Sequence, residues 1–289
     1  MPSQRDAVVT YYNGTRWDYR HLWGSRRSLA MHFGYYADGV RSHQKAVRQM
    51  NAALAAQVGI TESDRVLDAG CGLGGSSLWL AEHVGGQVTG VNVTAFQVET
   101  ARRVAEQRPL GTRARFELAD YARTPFTDGA FTVMWALESV VHAESRADVL
   151  AEAYRLLAPG GRLILAENVL RSTPPVTAQD RQTIAPWLDG WAMPSLVTDI
   201  EYVDLLQRAG FERIEVIDWT RYVAPSLVRI GRIARAARPF VLPLQRAGLL
   251  SRVQQGNADA PRAQVEALRL GLWCYLVLTA VRQEGAPVR

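Results

Sequence analysis

Residues 66–75 read VLDAGCGLGG. An apolar run that ends on an acid and opens into glycines is a strand followed by a sharp turn. Gly70, Gly72 and Gly75 satisfy G-x-G-x-x-G, a spacing that lets the backbone approach a nucleotide-like ligand closely. Asp68, two residues before the first glycine, sits where a carboxylate can accept from a ligand amine. About twenty residues on comes QVTGVNVTAF, residues 87–96. A dinucleotide site wants an acid at the end of this strand, to grip the ribose hydroxyls. Here the residue is Asn92. An amide still donates to and accepts from hydroxyls, at a cost of ~1 kcal/mol relative to an ionised acceptor.

A second reactive stretch is WALESVVHA, residues 135–143. Glu138 and His142 are the residue types that remove protons, and His142 is the first candidate base, with Glu138 the second. His32, Glu138, His142 and Glu144 show no metal-ligand spacing, so no metal is expected. Cys71 and Cys274 lie far apart in apolar surroundings, which suits neither a disulfide framework nor a zinc site.

These residues need a scaffold. Apolar runs at 65–69, 87–92, 113–118, 130–136, 161–168, 212–218 and 272–282 read as strands. Helical patterns at 74–85, 95–108, 146–157 and 199–209 alternate with them. Such alternation implies an α/β fold with a mostly parallel sheet. Residues 156–165, LLAPGGRLIL, read as helix, Pro-Gly-Gly turn and strand. Residues 1–58 read as an aromatic-rich helical cap ahead of a core at 59–285. Two segments interrupt the alternation, 171–198 and 221–262, and both are expected to cap the site. The second ends in the turn-like QQGNADAPRA.

A chain of 289 residues with 48% hydrophobic residues suits one large α/β unit with additions. The formal charge is +5, and Lys45 is the only lysine among 33 basic residues. A mild, dispersed positive charge is weak ground for nucleic-acid binding, and none is expected. No acid occurs between Asp218 and Asp259, whereas arginines recur at 229, 232, 235 and 238. That pattern reads first as a solvated helix face, and it also leaves room for an anionic group on a substrate. The opening residues hold no apolar run of signal-peptide length, and no later run has the length of a membrane span, so a cytoplasmic protein without stable membrane insertion is expected.

With these motifs in order, the chain resembles the class I S-adenosylmethionine-dependent methyltransferases. VLDAGCGLGG resembles the family's first motif, FELAD its adenine-contacting acid and LLAPGGRLILAE its later helix–turn–strand. The resemblance implies a Rossmann-like seven-stranded sheet with the last strand antiparallel. It implies S-adenosyl-L-methionine as cofactor, leaving as S-adenosyl-L-homocysteine. Asp68, Gly70, Cys71 and Gly72 would cradle the methionine end. Asn92 and Val93 would face the ribose, with Gln97 one turn on. Asp120 would meet the adenine amino group beside Tyr121, and Leu137 with Glu138 would border the methyl group.

Shorter patterns narrow the branch. MHFGYY at 31–36, the Tyr-rich YYNGTRWDYRHLWG at 11–24, GVNVTAFQV at 90–98 and the E-S-x-x-H segment resemble tocopherol, sterol and natural-product methyltransferases. By that likeness Tyr11 joins the cofactor set, and His32, Tyr36, Trp191 and Trp219 the substrate set. Trp135 and Trp187 are further candidates for aromatic walls. The expected reaction is methyl transfer to a hydrophobic small molecule of specialised metabolism. Carbon methylation of a prenyl or terpenoid chain is favoured over O-methylation of a hydroxyl. A methyltransferase-fold cyclase or binding protein that transfers no methyl is the alternative from another class. The aromatic N-terminal helices offer a surface for a homo-oligomer.

Overall fold

The computed structural model describes residues 3–18 and 29–285. Ten helices and seven strands follow one another among these residues. The strands are β1 (Arg65–Ala69), β2 (Gln87–Asn92), β3 (Ala114–Leu118), β4 (Phe131–Leu137), β5 (Leu157–Leu170), β6 (Phe211–Asp218) and β7 (Trp273–Arg282). They form one sheet in the order β3-β2-β1-β4-β5-β7-β6. β7 runs antiparallel to both β5 and β6, and the remaining pairs are parallel. The chain first winds outward from β1 to β3, then crosses back to place β4 on the other side of β1. Between β1 and β4 the winding reverses, and in open α/β sheets ligands bind at the strand ends beside such a reversal.

The strands are apolar because both faces are covered. Side chains alternate between two cores, as the period of a strand requires. Val66, Val133, Trp135 and Val277 face one core; Leu67, Met134, Ala136 and Leu278 face the other. Helices α3 (His43–Gln57), α4 (Gly75–His83) and α5 (Ala95–Glu106) cover the first face. Helices α6 (Arg146–Leu156) and α8 (Asp199–Arg208) cover the second.

Three segments differ from the expectation. Residues 254–263 form no turn but lie inside helix α10 (Arg252–Arg269), which Ser251 caps by accepting from the Gln254 amide. The reason is packing: a Cβ on Gly190, at the end of α7 (Ala178–Gly190), would stand 2.4 Å from the Gly256 carbonyl oxygen. The small residues that weaken helix propensity are what lets α7 and α10 touch. Among the described residues of the 1–58 stretch, helix is confined to α1 (Gln4–Gly14), α2 (Arg16–Asp18) and α3. Residues 31–36 run irregularly instead. Tyr35 N–H donates to Ala46 O on α3, Tyr36 N–H to Tyr222 O, and Gly34 N–H to Ser226 Oγ. Tyr222 and Ser226 belong to α9 (Thr220–Arg246), so tertiary bonds override local propensity here. Finally, the Pro-Gly-Gly turn is built into β5 as an irregularity: Phe131 pairs with Leu157 but Val133 with Arg162.

Candidate active site

The ends of β1, β2 and β4 open onto a cavity of about 390 Å³. That is the scale of pockets that enclose a cofactor-sized ligand. The glycine loop forms its floor, with Asp68, Gly70, Cys71 and Gly72 all lining it. Asn92, Val93 and Gln97 line one side, and Asp120 and Tyr121 the far end. Leu137, Glu138 and His142 line the other side. Helix α1 lies over the opening, where Gln4, Arg5, Val8 and Tyr12 complete the wall. The Gln4 side chain donates to the carbonyls of His142 (3.2 Å) and Ala192 (2.8 Å), which ties this helix to the side of the site that carries His142.

Each polar group has a defined state. Asp68 is buried, and burial pushes its carboxyl up to about 6 against the hydrogen bond that Ser77 donates to it. A cationic ligand would restore its charge. Asn92 donates from Nδ2 to Gln97 Oε1 (2.9 Å) and accepts at Oδ1 from Thr94 N–H (3.2 Å). The two amides therefore act as a pair. An Asp at 92 would need Gln97 to turn its amide, which it can do at the loss of a 3.4 Å contact with Met31 Sδ. Asn92→Asp is expected to bind S-adenosylhomocysteine within about threefold of wild type in calorimetry. A tenfold loss would mean that the amide pair itself is the recognition element.

Glu138 is the most constrained residue at the site. Its φ of +54° lies in the left-handed region, where a non-glycine residue is strained. Phe33 N–H (2.9 Å) and the Tyr275 hydroxyl (2.8 Å) both donate to Oε1. Burial still pushes its carboxyl up to about 8. Glu167, at the end of β5, is also pushed by burial to about 8, while accepting from the Ser139 (3.2 Å) and Val140 (2.8 Å) amides. It fixes the turn that carries Glu138 and His142.

His142 Nδ1 lies 3.3 Å from the Ala192 carbonyl, and Nε2 lies 3.1 Å from the Tyr12 hydroxyl. A carbonyl only accepts, so Nδ1 carries the proton and Nε2 accepts from Tyr12. Burial holds His142 down to about 4, so the imidazole is neutral at pH 7. His32 is also held near 4 by burial, and its Nδ1 bonds Phe33 O at 2.7 Å. Its Nε2 is buried with no partner.

These states carry a stability signature. Above about pH 6.5 the unfolded histidines have lost their protons, so the buried imidazoles contribute no further change. Glu138 and Glu167 still hold protons in the fold that the unfolded chain has released. Their raised values therefore favour the fold most below pH 4.5, and that contribution drains away up to about pH 8. Calorimetry should show Tm falling from pH 6.5 to 8, with a shallower fall in Glu167→Gln. An unchanged slope in the variant would contradict the assignment.

Beside the cavity lies a smaller chamber of about 80 Å³. Tyr12, His32, Glu138 and His142 line both spaces. Trp191, Met193 and Asn168 close the chamber further in, together with Arg229, Ile230 and Asn257 from α9 and α10. Asn168 Oδ1 and Trp191 Nε1 are buried without hydrogen-bond partners, like His32 Nε2.

The structure thus brings most of the expected site residues to one place and sets five aromatic candidates elsewhere. Tyr11 is buried and donates to Asn257 Oδ1 (2.9 Å), and its neighbour Tyr12 faces the cavity instead. Trp219 packs against Tyr35 with ring centroids 4.6 Å apart. Trp135 and Trp187 are wholly buried core. Tyr36 bonds His43 and faces an outer groove. The Tyr-rich pattern at 11–24 falls partly outside the described residues. Gln4, Tyr12 and Asn168 were not singled out by sequence; Asn168 alone carries a signal, as a polar residue at the end of a buried strand.

A sheet that reverses at β1, an inserted antiparallel last strand and a glycine-floored cavity at the reversal define a nucleoside-binding transferase fold. The comparisons with known proteins agree. A family model described as a methyltransferase domain matches residues 67–165. The methyltransferase GfsG of Streptomyces halstedii is 31% identical over 86% of each chain. The 27-O-demethylrifamycin SV methyltransferase of Amycolatopsis mediterranei is 33% identical over 71% of this chain and 73% of its own. Among solved structures, the cyclase SpnF superposes with a TM-score of 0.75 at 24% identity, over 98% of both chains. The chain belongs to the S-adenosylmethionine-dependent methyltransferases, and it is an enzyme of small-molecule methylation. No described helix is long and apolar enough to cross a membrane.

Proposed function

We propose that the enzyme O-methylates a hydroxyl of a hydrophobic natural product. The observation that carries this reading is the chamber beside the cofactor cavity, where two buried proton acceptors, His32 Nε2 and Asn168 Oδ1, have no partner in the fold. Carbon methylation of an alkene leaves a carbocation, which aromatic faces would shield. The sequence offered Tyr36, Trp135, Trp187, Trp191 and Trp219 for that task; Trp191 lines the chamber, Trp135, Trp187 and Trp219 sit in the core, and Tyr36 faces the outer groove. Beside Trp191, Phe33 and Tyr12, the chamber presents His32 with a free Nε2, His142 with its tautomer fixed, and Asn168 with a free carbonyl. A hydroxyl donates to such groups; an alkene does not.

In this reading Asp68 and the glycine loop hold the amino-acid end of the cofactor, and Asn92, Gln97 and Asp120 its nucleoside. S-adenosylmethionine bound there would supply an electrophilic methyl carried on a cationic sulfur. The single proton of the acceptor hydroxyl is donated to the Tyr12 oxygen, and His32 Nε2 and Asn168 Oδ1 accept from other donors at the same end of the substrate. As the acceptor oxygen takes the methyl, the hydroxyl proton passes to the Tyr12 oxygen, and Tyr12 passes its own proton to His142 Nε2. Glu138, mostly protonated near neutrality, shapes the wall between the two spaces. One relative named for a 27-O-demethyl substrate supports an oxygen acceptor, while others are named for carbon and nitrogen methylation.

The test is transfer of a carbon-13-labelled methyl group into hydroxylated lipophilic acceptors, with the product examined by NMR. The label is expected on oxygen. Label on carbon would restore the prenyl reading, and turnover of the acceptor without S-adenosylhomocysteine would point to a cyclase.

A further inference from the structure

The chamber is too small for a natural product. Its 80 Å³ admits only the reacting end, against the several hundred cubic ångströms of a pocket for a whole small molecule. The rest of the acceptor must lie beyond one of its walls. One wall is made by His43 and Arg229, and both of these residues also line an open groove of about 610 Å³ on the outer side. Arg41, Arg221 and Arg232 join Arg229 in that groove, with Tyr36 beside them. Four arginines therefore line the groove on the far side of the wall that bounds the chamber.

Among the described residues the fold gives these arginines no acidic partner, and it engages Arg221 alone, through the Tyr222 hydroxyl and ring. The Arg221 guanidinium lies 4.4 Å from the ring centroid. Asp38 is the nearby acid, and its influence reaches Arg221 and Tyr222. Arg229 and Arg232 stand three apart on α9, hence on one face. The stretch between Asp218 and Asp259 offers them no acid. Unpaired guanidiniums gathered in a concave surface are a site for carboxylate or phosphate, which they meet with paired hydrogen bonds.

Taking the methylation chemistry proposed above as its basis, we infer that the acceptor is a two-ended amphiphile: its hydroxyl end enters the chamber, and an anionic group, carboxylate or phosphate ester, is held by Arg41, Arg221, Arg229 and Arg232 in the outer groove. The orphaned Asn168 Oδ1 and His32 Nε2 mark the inner end. The arginines set specificity by distance, because only a chain that spans the His43–Arg229 wall satisfies both ends.

Calorimetry with octyl phosphate, octanoate and octanol tests this on the full chain, with and without S-adenosylhomocysteine. At least one anionic probe should bind tenfold or more tightly than octanol. The stronger of the two tells whether the natural group is a phosphate or a carboxylate. The double variant Arg229→Gln, Arg232→Gln should fall to the octanol level, while Arg246→Gln, further along the same helix, stays within twofold of wild type. Equal binding of octanol, an unaffected double variant, or an equal loss in Arg246→Gln would overturn the site. S-adenosylhomocysteine affinity should be unchanged in every variant. A wild type that binds octyl phosphate but not S-adenosylhomocysteine would instead sink the cofactor assignment and leave the groove standing.

Discussion

Gly70→Ala is expected to lose about 100-fold in affinity for S-adenosylhomocysteine. Gly70 has a φ of +85°, and a side chain there costs about 1–2 kcal/mol in backbone strain. The larger effect is steric. A Cβ at Gly70 would stand 2.4 Å from the Ser139 Cβ, an atom joined directly to the backbone that cannot swing aside. Ser139 is itself tied down, since its hydroxyl donates to Ala69 O and its amide to Glu167. One of two rigid segments must move: the glycine loop, held by the Gly70 and Cys71 amides on Val91 O, or the turn that carries Glu138 and His142. Overpacking of this kind costs about 1–3 kcal/mol. Together the two terms cost the fold about 3 kcal/mol, and affinity falls because the fold relieves them by moving the loop away from the position that meets the cofactor. Gly111→Ala is the matched control. Gly111 also has a positive φ, of 57°, but its Cβ would meet nothing within 4 Å. It should lose some stability and no affinity. If Gly70→Ala binds S-adenosylhomocysteine like wild type, the loop is a structural turn and not the cofactor floor.

His142→Phe should lower kcat by about 10²–10⁴-fold, the range of a lost general base. The ring fits the space, but the bonds to Ala192 O and Tyr12 are gone. Cofactor affinity should change little, because His142 touches the proton path and not the nucleoside. Tyr12→Phe breaks the same path one atom earlier. It should share most of the kcat loss, and the double variant should lose little beyond either alone, since the two act as a unit. Burial keeps the His142 imidazole neutral down to about pH 4, so the wild-type rate should show no inflection near pH 6.5. More than a tenth of wild-type kcat in His142→Phe would shift the proton acceptor to His32, whose Nε2 is free.

The sheet and the cavity floor were legible in the sequence for physical reasons. Parallel strands buried on both faces must be short apolar runs, so β1, β2 and β4 announce themselves. The residues that face a ligand sit where those runs stop: Asp68, Asn92 and Glu138 each follow from that rule. What the sequence hid depends on tertiary contact. Tyr11 and Tyr12 share a helix and a residue type, and only the phase of α1 against α10 decides which one reaches the cavity. Residues 254–263 carry turn-forming Gly, Asn, Asp and Pro, yet the approach of α7 holds them helical. Trp135, Trp187 and Trp219 resemble site aromatics by number alone, and burial makes them core. The arginines of α9 read as a solvated face until the fold places Arg41 opposite them.

The account turns on one adjacency, a cofactor cavity that shares Tyr12, His32, Glu138 and His142 with an acceptor chamber. A crystal structure with S-adenosylhomocysteine bound tests it most directly. The nucleoside is expected against Asn92 and Asp120, the amino-acid end against Asp68 and Gly72, and the sulfur toward Glu138 and His142, with the chamber opening in front of it. A sulfur directed away from the chamber, or a nucleoside bound anywhere but along the ends of β1 and β2, would contradict the account.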